Sequence, residues 1–125
     1  PPSFKVRHIW TKDQPILVRA MVLAGRTLFI AGPPDVVDEP DAFKNISDPK
    51  VQALLADQAA AIAGEKGAKL MAVSTADGEP LASHDLESPP VFDGMAAAGG
   101  RLYLTTMDGA VECLGGEAAR QGRSP

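Results

Sequence analysis

The chain has 125 residues, 45% of them hydrophobic and 22% charged, with a formal net charge of −4. That length suffices for one domain with a real core, and the composition is that of an ordinary globular protein. The acidic balance argues against nucleic acid or an anionic membrane surface as partner, and no apolar run approaches the ~20 residues that would span a bilayer. Cys113 is the single cysteine, which rules out an internal disulfide and any multi-cysteine metal site. The start at Pro1-Pro2, with no initiating Met, reads as a piece of a longer or processed chain.

Phe4 to Trp10 alternates, with Phe4, Val6, His8 and Trp10 on one face, and is expected to form a strand. Leu17–Leu23 and Thr27–Ala31 flank Ala24-Gly25-Arg26 and predict a hairpin. Gly32-Pro33-Pro34 stops the second strand, because proline cannot donate to a ladder. An acidic, proline-marked loop follows. Asp48-Pro49 then opens a helix expected over about 49–63, with Val51, Leu54, Leu55 and Ile62 as its apolar stripe and Gly64 as its stop. Strands are expected at Lys69–Ser74, Pro80–Leu86, Phe92–Ala97, Arg101–Thr105 and Ala110–Leu114. Turns at Asp77-Gly78 and Met107-Asp108-Gly109 join the flanking strands. Residues 117–125 carry no apolar periodicity and are expected to be a disordered tail.

Several of these strands say the same thing twice. AMVLAGRTLFIAG at 20–32 matches GMAAAGGRLYLTT at 94–106, with Leu28 falling on Leu102, an offset of 74 residues. Lys69–Val73 matches Ala110–Leu114 at an offset of 41. The difference, 33 residues, is the net insertion between Gly32 and Lys69. Without it the repeat is about 41 residues, the size of a four-stranded propeller blade. An unrelated α+β domain with two look-alike hairpins is the alternative.

KLMAVSTADGEPLA resembles the repeat of PQQ-like quinoprotein β-propellers. Ala72-Val73-Ser74 stands for its Ala-Leu-Asp type triplet and Asp77-Gly78-Glu79 for its turn. PPVFDGMAAAGGRLYLTTMDGAVECLGG is similar to the stretch that follows. The family's docking tryptophan, which packs between adjacent blades, would fall at Ala82 and is absent there; Trp10, in HIW ahead of the first repeat, matches that place. The resemblance implies an all-β fold: a partial propeller of about two four-stranded antiparallel blades over 4–116, with one helical insertion at about 33–67. It places the insertion in the loop between second and third strands, on the face that holds the active site in the family's enzymes. It also implies a periplasmic or extracellular location.

Propellers close with four or more blades. The remaining blades are therefore expected from a larger chain, a protein partner or a homo-oligomer. The family's enzymes bind pyrroloquinoline quinone with a calcium carboxylate cluster and a catalytic Asp, and none of these can be placed here. No cofactor is assigned.

The residues offer little catalytic chemistry. Asp35, Asp38, Glu39 and Asp41 form an acidic cluster that could hold calcium weakly but lacks the spacing of an EF-hand, and reads first as a solvated loop. His8 and His84 have no second ligand nearby. His84-Asp85 are neighbours on a predicted strand and so point to opposite faces. Cys113 reads as an inert core residue, and Met21, Met71, Met95 and Met107 as core filler. No catalytic residue is assigned. The first reading is a non-catalytic repeat module, a scaffold or binding platform whose inserted segment makes the contact. The alternatives are a fragment of a PQQ-dependent dehydrogenase and a self-assembling structural module.

Overall fold

A computed structural model describes residues 5–115. Nine elements follow in order: β1 (Ala20–Ala24), β2 (Thr27–Gly32), α1 (Glu39–Lys44), α2 (Pro49–Ile62), β3 (Ala68–Ser74), β4 (Pro80–Leu86), β5 (Pro90–Ala98), β6 (Arg101–Thr106) and β7 (Val111–Gly115). They build two antiparallel sheets, one ordered β1-β2-β3-β4 and the other β5-β6-β7. Both are simple meanders. The two helices are the named elements of the excursion between β2 and β3.

The pairing registers carry the repeat. In the first sheet Leu23 faces Leu28 and Met21 faces Ile30; in the second, Ala97 faces Leu102 and Met95 faces Leu104. Adding 74 to the first set gives the second. Across the next ladder Leu28 faces Val73 and Leu102 faces Leu114, so the offset of 41 also relates equivalent rungs. The first hairpin of each sheet turns on two residues, Gly25-Arg26 and Gly99-Gly100. Gly99 and Gly100 both have positive φ, the geometry that matches strand twist in a tight hairpin.

The sheets bury one face against each other. Phe29, Ala31, Leu70 and Leu86 from the first meet Leu102, Leu104, Met95 and Leu114 from the second, with Leu104 wholly buried. The strand period of two then sends Leu28, Ile30, Met71 and Val73 to the opposite face of the first sheet, where Ile16 packs on them. The first sheet is thus apolar on both faces. The second sheet's outer face carries Tyr103, Val111 and Cys113, all exposed.

Several expectations are corrected. Residues 5–10 contain no strand, and Phe4 lies outside the described residues. A strand needs a ladder partner, and residues 5–10 have none among the described residues, with Val6 and Ile9 94% and 68% exposed. The strand expected at Leu17–Leu23 begins at Ala20 instead. Before it, Arg19 N–H donates to Ala31 O (2.9 Å) and Leu17 N–H to Pro33 O (2.8 Å). Arg19 and Ala20 therefore both oppose Ala31, a one-residue bulge that breaks the ladder. The second sheet has three strands among the described residues, not four. The expected tail at 117–125 lies outside them.

In α2 the capping is as expected: Asp48 accepts from Lys50 N–H at 2.9 Å, with Pro49 in the first turn. The apolar stripe is not. Val51 and Ala61 are buried and Leu55 packs beside Val51, whereas Leu54 and Ile62 are 44% and 45% exposed. Residue 58, between them on the inward face, is the polar Gln58. Its amide donates to Pro34 O (2.9 Å) and accepts from Val36 N–H (2.8 Å), clasping the helix to the outgoing chain.

Arg19 ties the excursion to both sheets. Its guanidinium donates to the Ile62 carbonyl at the end of α2 (2.6 Å) and to Met107 Sδ, and lies 5.4 Å from the Phe92 ring centroid. A cation at the last carbonyls of a helix is favoured by the helix dipole. Arg19→Ala is expected to cost about 1–3 kcal/mol, the range for charge-assisted bonds to a half-buried group. Amide exchange should rise most at the C-terminal turn of α2; unchanged protection there would refute the tie.

Candidate functional site

The acidic cluster is helix-capping machinery. Asp38 is the N-cap of α1 and accepts from Asp41 N–H at 3.3 Å, while Glu39 and Asp41 sit in the first turn, where the dipole favours negative charge. All four carboxylates, Asp35 included, are exposed. Among the described residues no group of three or more His, Cys, Asp or Glu side chains converges on a point where a metal ion could sit. The expected solvated loop is in part this short helix.

The histidines stand apart. His8 is exposed in the unpaired N-terminal segment. His84 lines a cleft of about 800 Å³ between the sheets, with Phe29, Leu70, Leu102, Leu114 and Arg101 around it. Its neighbour Asp85 points away, 90% exposed, with its carboxylate 3.6 Å from Lys69 Nζ. The cleft is mainly apolar, with His84 and Arg101 as the polar side chains at its walls.

Two readings of sulfur-bearing residues are corrected. Cys113 is exposed rather than buried, because it lies on the second sheet's outer face, which no third layer covers among the described residues. Met71 is buried and Met95 packs on the core, but Met21 and Met107 are 58% and 45% exposed. Met21 belongs to the edge strand β1, and Met107 to a turn, where it accepts from Arg19.

Two surfaces distinguish this chain. The first is the helical excursion. Val37, Ala42 and Val51 form a small core of its own, with Leu55 packed against it. Phe43 (83% exposed) and Ile46 (52% exposed) remain outside that core, at and just beyond the end of α1. An aromatic exposed to that degree is the kind of side chain that anchors interfaces. Sequence reading did not single out Phe43, although it is the one aromatic in the insertion.

The second is the N-terminal segment on the β3–β4 turn. Trp10 Nε1–H donates to Thr75 O (2.8 Å), Gln14 Nε2–H to Gly78 O (2.9 Å), and Lys12 forms an ion pair with Glu79. The indole lies so close over Gly78 that a Cβ there would stand 2.6 Å from the ring. Residues 10, 12 and 14 all reach the same turn, the alternation of extended backbone.

Comparison of the chain with family models, with curated proteins and with solved structures returns no match.

Proposed function

We propose that this chain is a non-catalytic repeat module, two units of a PQQ-like propeller that together form a binding platform. The inserted segment, about 33–67, is its contact surface. The observation that carries the reading is the shared register: most pairs of the first sheet's β1–β2 and β2–β3 ladders recur in the second at offsets of 74 and 41, yet only one sheet carries a helical excursion, and that excursion exposes Phe43 and Ile46. Trp10 supports the repeat assignment, since it packs on the Asp77-Gly78-Glu79 turn, as a tryptophan from a preceding unit would.

The test removes the excursion. Gly32 and Lys69 are paired partners, so the two ends of the excursion already adjoin. Deleting residues 34–66 leaves a short connection that can close as a hairpin. The expected result is a truncated chain with its strand signal intact in circular dichroism, and loss of binding to a partner isolated on the full chain. Phe43→Ala alone should weaken that binding by at least tenfold, the ~1.4 kcal/mol or more of an anchor residue. Undiminished binding by the truncated chain would move the contact surface elsewhere.

A further inference from the structure

In a chain of net charge −4, the cleft between the sheets is basic. Its volume of about 800 Å³ lies within the ~300–1,000 Å³ typical of small-molecule sites. Phe29 and Leu70 of the first sheet and Leu102 and Leu114 of the second supply its apolar walls. Arg101 and His84 are its ionisable side chains, and among the described residues no carboxylate lines it.

Strand pairing accounts for the His84 wall. Ala68 faces Leu86, Leu70 faces His84 and Ala72 faces Ala82, so β4 turns Ala82, His84 and Leu86 to the face that meets the second sheet. Ala68, Leu70 and Leu86 are buried in the core that the two sheets share. His84 belongs to the same face and is exposed, because the cleft opens before it. An imidazole on an otherwise apolar core face is the kind of placed polar group that orients a ligand.

The opposite wall is built from small residues. Ala97, Ala98, Gly99 and Gly100 line it in succession, and none is larger than a methyl group. A Cβ added at Gly99 or Gly100 would meet no atom within 4 Å, so the turn leaves room there. Arg101 follows directly as the first residue of β6 and stands at that end of the cleft.

We propose that the cleft binds a small amphipathic carboxylate, its hydrocarbon body between the sheets and its carboxylate on Arg101 and His84. Hydrocarbon buried against the four apolar walls supplies affinity in proportion to the area removed from water. The guanidinium offers a carboxylate paired N–H donors, and the imidazole N–H offers another. Beside apolar walls such bonds are stronger than in open water. A neutral head forgoes the charge-assisted part, and a cationic head is repelled by Arg101. The lining residues all lie outside 33–67, so this site is independent of what the inserted segment binds.

Three probes with one tail and different heads test the site: decanoate, decanol and decyltrimethylammonium, each titrated into the full chain by calorimetry. Decanoate is expected to bind one per chain, about tenfold or more tighter than decanol, as one charge-assisted bond allows. The cation should bind weakest. Arg101→Gln should abolish the preference for decanoate and leave decanol unaffected, while Arg101→Lys, which keeps the charge but not the fork, should retain part of it. Imidazole NMR signals locate the ligand, because His8 and His84 are the chain's two histidines. The His84 signal should move with decanoate and the His8 signal should stay, with His8→Gln assigning the pair. No binding of decanoate by the full chain, equal binding of decanoate and decanol, a preference that survives Arg101→Gln, or a His84 signal that stays in place would overturn the proposal.

Discussion

Gly32→Ala should be the most damaging single-methyl substitution in this chain. Gly32 ends β2 where the segment 15–19 ahead of β1 runs beside it, and a Cβ built there falls on the backbone carbonyl of Leu17. The obstruction is backbone, not the free end of a side chain, so relief requires moving the ladder bonds at Leu17–Pro33 and Arg19–Ala31. Overpacking of this kind costs about 3 kcal/mol or more. For a domain of this size the midpoint of thermal unfolding should fall by roughly 10–20 °C. Gly25→Ala is the control. Gly25 has φ of 62° but no atom within 4 Å of its would-be Cβ, so only conformational strain of about 1–2 kcal/mol applies. Gly32 lacks a positive φ, so the two substitutions separate space from backbone conformation. Equal losses from both would show that residues 15–19 do not run as close beside β2 as described.

Trp10→Ala is the second large effect. It removes an aromatic packed on Gly78 and the bond from Nε1–H to Thr75 O, the anchor of residues 10–14. The half-buried ring and its bond together contribute about 2–4 kcal/mol. Trp10 is the only tryptophan, so intrinsic fluorescence reads this one dock directly. Gly78→Ala should dislodge the ring from the other side, because a Cβ would stand 2.6 Å from it and the backbone there has φ of 75°. Its emission should shift to the red in the otherwise folded protein. Emission unchanged by Gly78→Ala would show that the indole does not rest on that turn. Trp10→Phe, which keeps a ring but not the donor, should lose only about 1 kcal/mol.

The repeat was written in the residues. Short apolar runs around Gly-containing turns located every strand from β1 to β7 to within a few residues, and the offsets of 74 and 41 are the offsets of the observed registers. Local chemistry suffices for this, because period-two alternation and two-residue turns are properties of neighbours in sequence. The cap at Asp48-Pro49 was legible for the same reason.

What surrounds each face was not legible. Val6 and Ile9 alternate as strand residues do, but whether they pair depends on an edge far away in the chain. Cys113 reads as a core residue in an apolar strand and is exposed because no layer of the described residues covers its face. The inward stripe of α2 runs through Gln58 because the loop at 34–36 offers a carbonyl and an amide there. Arg19 joins a helix end, a turn and an aromatic ring from three separate parts of the chain, and no spacing announces that junction. Strand identity follows from a residue's neighbours along the chain; burial and partnership follow from which surfaces the folded sheets bring together.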